Sequence, residues 1–285
     1  MVDVYVEHKG KSMGGLTAKD FELYDNGVLQ EVELVQTESI PLSVIMLFDT
    51  SESVQGEKLE RLRAAASSVI KELEQKDQAS LIAFSIDLEL ECELTTDKRE
   101  LQTALTRLQP RGGTALKNAV YGSLKVAEGL DRPVILLFTD GTDTFSWLSE
   151  NEVLDAAKES NATIYALTTI RADDTQQART LDSIARYTGP KGKTSSATRI
   201  QGVTFLESIT AMSGGLFLRV ESVKELERSF LYVLGEMKSR YLLTYYPRDV
   251  NEKGWHKLEV KLKNRKGKVR ARRGYFLPHP VASGQ

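Results

Sequence analysis

Five oxygen-bearing side chains stand out by type and spacing. Asp49-Thr50-Ser51-Glu52-Ser53 puts one carboxylate and two hydroxyls on alternate residues, directly after the apolar run Val44-Ile45-Met46-Leu47-Phe48. Thr114 follows Pro110-Arg111-Gly112-Gly113, a glycine stretch that lets the backbone come close. Asp140 lies in Thr139-Asp140-Gly141, after the apolar run Val134–Phe138. An all-oxygen donor set of this kind suits a hard divalent ion, Mg²⁺ or Mn²⁺. Asp and Ser after a strand also serve as helix caps; three separate loops bringing such groups favour the ion.

The elements that must position these groups read as alternating strands and helices. Unbroken apolar runs at Val44–Phe48, Ala79–Phe84, Val134–Phe138 and Thr163–Ile170 fit strands buried on both faces. Helical spacing covers Leu59–Leu73, Asp97–Leu108, Thr114–Leu130, Ser149–Ser160, Phe205–Met212 and Ser222–Arg240. Leu88–Leu94 alternates as a half-exposed strand, and Gly215–Val220 reads as a last strand. The pattern predicts an α/β domain with a doubly wound, mostly parallel sheet, in which ligands sit beyond the carboxyl ends of the strands. Thr180–Tyr187 is a further candidate helix, and the Gly/Ser/Thr/Lys-rich stretch 189–202 reads as a mobile surface excursion.

Both ends of the chain change to strict alternation. Val2–Val6, Phe21–Tyr24 before the Asp25-Asn26-Gly27 turn, and Gln30–Thr37 predict strands near the start. Tyr241–Tyr246, His256–Lys263 and Lys268–Tyr275 do so near the end. Neither flank is long enough for its own core. The economical division is a small β domain, a β-sandwich, built from residues 1–40 and 241–278, with the α/β domain (41–240) inserted and 279–285 as a tail. The other option is two independent arms packed on the α/β core.

Composition removes several function classes. Lys and Arg number 38 against 40 Asp and Glu, a formal net of −2, so no global field draws nucleic acid or anionic membrane. The longest apolar runs are far short of the roughly 20 residues that span a bilayer. A single cysteine, Cys92, excludes an internal disulfide, and it is read as structural. His8, His256 and His279 have no ligand spacing. The stretch 189–194 (Gly-Pro-Lys-Gly-Lys-Thr) imitates a phosphate loop, but Tyr187 stands where its first glycine belongs. The basic strands between Arg248 and Arg273 are read as the polar face of a half-exposed sheet. Asp143 is read as a turn residue, and Phe145 and Trp147 as loop packing in preference to an exposed partner rim.

The set Asp49/Ser51/Ser53, Thr114 and Asp140 resembles the von Willebrand factor A domain with its metal-ion-dependent adhesion site. The resemblance spans roughly Ser43 to Lys238. The flanks, Gly15–Gly27 and Tyr241–Pro247 with Lys268–Phe276, resemble the bacterial von Willebrand A-related proteins of Acidobacterial type. It implies that Ser51 and Ser53 bind the metal directly, that Thr114 binds in a ligand-ready state, and that Asp49 and Asp140 mostly hold metal-bound waters. The implied ion is Mg²⁺, with Mn²⁺ or Ca²⁺ as alternatives. The implied function is a non-enzymatic adhesion or adaptor module that grips an Asp or Glu side chain of a partner protein. One residue departs from the family pattern: Glu52 stands where glycine is usual. Its carboxylate either folds over the metal as an internal ligand or points to solvent. The competing function is a cytoplasmic regulatory subunit of an ATPase or secretion complex, with the site vestigial or self-occupied by Glu52. Residue 1 leads straight into a strand with no signal peptide, which suits the cytoplasm; flanked bacterial relatives suggest an extracellular or periplasmic place instead.

Overall fold

The computed structural model describes residues 1–36, 41–169, 195–220, 225–250 and 253–277. Near the start lie strands β1 (Val2–His8), β2 (Lys11–Ser12), β3 (Phe21–Asp25), β4 (Val28–Gln30) and β5 (Leu34–Gln36). The middle of the chain runs β6 (Ser43–Asp49), α1 (Glu57–Glu72), β7 (Gln78–Phe84), β8 (Leu88–Thr95), α2 (Lys98–Arg107), α3 (Leu116–Val126), β9 (Pro133–Thr139), α4 (Glu150–Glu159), β10 (Thr163–Thr168), α5 (Ser195–Ser213), β11 (Phe217–Arg219) and α6 (Leu226–Lys238). β12 (Tyr241–Thr244), β13 (Gly254–Leu262), β14 (Lys268–Ala271) and β15 (Gly274–Leu277) follow.

The central sheet has the order β11-β10-β9-β6-β7-β8. Its strands are parallel except β8, which runs antiparallel to β7 along an edge. Side-chain alternation sorts β6 between two cores. Val44, Met46 and Phe48 face α1, α2 and α6. Ile45 and Leu47 face α3, α4 and α5. Burial on both faces is the reason the strand sequences are unbroken apolar runs. Because β7 lies on one side of β6 and β9 on the other, the connections leave toward opposite faces. That opens a crevice at the carboxyl ends of β6 and β9.

The end segments build two further sheets, β14-β1-β12-β5 with β2 on β1, and β15-β13-β3-β4. Each takes strands from both ends of the chain. Val2, Val4, Val6, Phe21, Leu23, Tyr241 and Leu243 form one buried core between them. The single strand expected at Gln30–Thr37 is two short ones, because β4 pairs with β3 in one sheet and β5 with β12 in the other. The strand expected at Lys268–Tyr275 also splits. β14 pairs with β1 and β15 with β13, and the chain crosses between sheets at Arg272 and Arg273. Inside the sandwich the fully buried carboxylate of Asp25 accepts from Tyr245 and Tyr275 (both 2.8 Å) and lies 2.9 Å from His256 Nδ1.

A buried polar cluster joins sandwich to α/β domain. Arg240, just after α6, pairs with Asp3 of β1, and donates to the Tyr165 hydroxyl and the Gly214 carbonyl (2.9 Å each). Tyr165 donates to Glu236 at 2.9 Å, and Arg270 of β14 pairs with the other oxygen of Glu236. Arg132 reaches Asp3 at 2.9 Å. Burial works against the Arg240 charge, yet Tyr165, Asp3 and Glu236 leave its pKa above the ordinary value.

Two further expectations change. The helix expected from Thr114 begins at Leu116, so Thr114 belongs to the loop. The surface excursion expected over 189–202 is wrong for its second half: residues 195–202 open the 19-residue α5. Gly202 accounts for that packing. A Cβ there would stand 2.0 Å from the Gly141 carbonyl oxygen, so only glycine lets α5 lie this close to the loop after β9. The stretch 189–194 and the candidate helix Thr180–Tyr187 lie outside the described residues.

Candidate metal centre

Asp49 ends β6, and Asp140 directly follows Thr139, the last residue of the neighbouring strand β9. The two strands are in register at Phe48 and Phe138, which sets both carboxylates at the crevice. Asp49 is fully buried. One carboxylate oxygen accepts from the Ser51 backbone N–H at 2.9 Å, and the other from the Thr139 hydroxyl at 2.7 Å. Burial pushes its pKa up to about 6, against the hydrogen bonds from Ser51 and Thr139, and the Asp140 charge pushes the same way.

Ser51 and Ser53 present their hydroxyls side by side, 3.0 Å apart. A short 3₁₀ turn, Glu52–Val54, holds this geometry by aiming both serines back over the strand end. Ser51 is buried and Ser53 exposed. Glu52 is exposed, and its backbone N–H donates to the Gly112 carbonyl at 3.1 Å.

The glycine loop is laced to this turn. Arg111 N–H donates to the Thr50 carbonyl at 2.7 Å, and Thr50 N–H to the Phe84 carbonyl at 2.8 Å. Ala115 N–H donates to the Ser85 carbonyl at 2.7 Å, which seats Thr114, itself buried, between β7 and the crevice. The loop after β9 closes the third side. Thr144 and Phe145 N–H groups both donate to the Thr114 carbonyl, at 2.8 and 2.9 Å. The Asp140 carboxylate accepts from Thr142 N–H at 2.9 Å. Asp49, Ser51, Ser53, Thr114 and Asp140 thus share one rim, on three loops hydrogen-bonded to one another.

The donor set is two carboxylates and three hydroxyls. Among the described residues no three His, Cys, Asp or Glu side chains come together, so nothing here resembles a zinc cage. All donors are oxygen, and the Asp49 carboxylate receives only neutral hydrogen-bond donors among the described residues. That chemistry fits a hard divalent cation.

Thr139 is the site residue that sequence reasoning left out. It is buried, orients Asp49, and accepts from Gly141 N–H at 3.0 Å; its signal was its place in Thr139-Asp140-Gly141. Asp143, read as a turn residue, does more than shape its turn. It pairs with Lys117 and accepts from Leu116 N–H at 3.2 Å, pinning its loop to the start of α3. The expected loop packing fails for Trp147, 79% of whose surface is exposed; Phe145 is 55% exposed, with its ring edge against Gly113. The loop around them is fixed by Ser146, which accepts from Lys117 N–H at 2.9 Å, and by Asn118, which accepts from Leu148 N–H at 3.2 Å.

Comparison with known proteins bears on the family and the fold. The uncharacterised protein sll0103 of Synechocystis is 33% identical over 107 residues, covering 36% of this chain and 26% of that protein. Inter-alpha-trypsin inhibitor heavy chain H4 of Sus scrofa is 24% identical over 134 residues, covering 43% of this chain and 14% of that one. The chain therefore matches only a minor part of each relative's length. Among solved structures, a von Willebrand factor type A protein from Catenulispora acidiphila superposes with a TM-score of 0.55 at 15% identity, over 82% of this chain and 52% of that one, which shows a shared fold. The family model of the von Willebrand factor type A domain matches residues 43–204, the segment that carries β6, the three loops and the start of α5. With more than half of its length matched by that model, the chain belongs to the von Willebrand factor type A domain family.

Proposed function

We propose that the chain is a non-catalytic, metal-dependent protein-binding module that grips an acidic side chain of a partner protein. Domains of this family commonly act in protein interaction and adhesion. In this reading Ser51, Ser53 and Thr114 hold Mg²⁺ through their hydroxyls, with Mn²⁺ and Ca²⁺ as the other candidates. Asp49 and Asp140 hold its waters. Bound there, the ion supplies a positive position that an outside Asp or Glu carboxylate can fill. The chain's own part is to keep that position open. Neutral hydroxyls leave most of the cation's charge for the partner, and the laced loops hold the donors before it arrives.

The observation that carries the reading is the fully buried Asp49, met only by neutral donors and sharing its rim with Asp140. Exposure of Glu52, whose carboxylate makes no hydrogen bond among the described residues, favours an open site over a self-occupied one. Calorimetric titration of Mg²⁺ and Mn²⁺ into chelator-stripped protein tests it. Saturable one-to-one binding that Asp49→Ala abolishes is the expected result; equal binding by both proteins sinks it. A turnover screen against esters and phosphodiesters is expected to stay at the buffer rate. The same proposal places the protein outside the cytoplasm, extracellular or periplasmic, and fractionation of the source cells decides that.

A further inference from the structure

The surface around the crevice is not uniform. Beside Gly112 and Gly113 stands Glu52, tied to the Gly112 carbonyl through its backbone N–H. Its carboxylate is exposed and makes no ion pair among the described residues. Apolar side chains border the same glycine pair. Phe145 lies so close to Gly113 that a Cβ there would be 2.2 Å from its ring edge. Ile86, 42% exposed, lies over Gly112, where a Cβ would be 3.2 Å from it. Trp147, two residues past Phe145, is the most exposed aromatic of the described residues.

Large aromatic side chains held out in solvent by a well-pinned loop are unusual on a surface that serves nothing. Trp and its like dominate binding energy where they are buried by a partner, and a pinned loop loses little entropy on binding. Glu52 adds the polar half of the pattern. An approaching partner carboxylate meets a like charge there unless the partner brings a cation beside it.

We infer that the site selects a partner surface on which the metal-seeking Asp or Glu is flanked by a basic side chain, facing Glu52, and a bulky apolar side chain, facing Phe145, Trp147 and Ile86. This rests on the proposed metal-dependent capture of a carboxylate and names what stands beside that carboxylate. Glu52 and the Phe145 rim are specificity-determining, and neither holds the metal.

The test uses blocked tripeptides and NMR titration in saturating Mg²⁺, so that differences in metal affinity drop out. Lys-Asp-Phe and Phe-Asp-Lys are compared with Ala-Asp-Ala and Lys-Asn-Phe. The better of the two mixed peptides is expected to bind at least about tenfold tighter than Ala-Asp-Ala, from an aromatic contact and a rim ion pair. Glu52→Gln removes the lysine share, a few-fold, and Phe145→Ser with Trp147→Ser removes the aromatic share. These positions are exposed, and unchanged circular dichroism of the variants checks the fold. Equal, Mg²⁺-dependent affinity for all three Asp peptides overturns this inference and leaves the metal-dependent reading standing. Binding that survives chelator, or Lys-Asn-Phe binding as tightly as Lys-Asp-Phe, overturns the metal-dependent reading itself. Absence of binding by every Asp peptide overturns both.

Discussion

Replacing Asp49 by Asn should stabilise the metal-free protein at alkaline pH and not at acid pH. Folded Asp49 holds its proton more tightly than the unfolded chain does, because burial raises its pKa from 3.8 to about 6. That change is worth about 3 kcal/mol. With the folded value raised, this group favours the fold below about pH 4, and the advantage is lost as pH rises through about 6. Above that the metal-free fold carries a buried carboxylate charge facing Asp140. Asn removes the charge and nearly keeps the shape. It also weakens the hydrogen bond from Thr139, a loss of about 1 kcal/mol at any pH. Asp49→Asn is therefore expected to be about 2 kcal/mol more stable than wild type near pH 8 in chelator, and about 1 kcal/mol less stable near pH 4. Urea unfolding of both proteins at the two pH values measures this. A difference between variant and wild type that is the same at both pH values refutes the reasoning. Adding Mg²⁺ near pH 8 should then raise wild type and leave the variant where it was.

Three more outcomes are expected. Arg240→Met removes the cation that Glu236 and Asp3 share but leaves Arg270 on Glu236 and Arg132 on Asp3, and should cost about 1–3 kcal/mol in urea unfolding. Gly113→Ala brings a methyl onto the edge of the half-exposed Phe145 ring, which can swing away into solvent, so it should displace that ring at a cost under about 1 kcal/mol; the Phe145 ring resonances and thermal unfolding report it. Tyr245→Phe removes one of the two hydroxyls that donate to the buried Asp25, and should destabilise the sandwich by about 1–3 kcal/mol, read from its hydrogen-exchange protection.

The central strands were legible because both faces are buried, so β6 and β9 announce themselves as apolar runs and their ends locate Asp49 and Asp140. Thr114 was legible only as part of the Gly112-Gly113 loop; its helix starts two residues later. Alternation does not say which sheet a strand joins, which is why Lys268–Tyr275 looked like one strand when Arg272 and Arg273 carry the chain between two. The start of α5 was illegible because residues 195–202 have a loop-like composition and their helix packs tightly on Gly141. Phe145 and Trp147 misled for the opposite reason: aromatic residues are usually buried, and only the hydrogen bonds from Lys117 and Leu148 to Ser146 and Asn118 show what keeps them out.

The pairing of the two chain ends has a mechanical consequence. In β1 and β14 the partners run from Val4 opposite Ala271 to Glu7 opposite Lys268, so the start of one strand and the end of the other meet at the same end of the ladder. Tension between residue 1 and residue 277 must strip β15 from β13, and on β1 and β14 it acts to peel them apart bond by bond instead of sliding them against each other. The inserted α/β domain enters after β5 and leaves into β12, two strands paired with each other in that same sheet. Force passing along the chain is carried first by the sandwich, and the metal crevice stays out of the load path until that sandwich opens.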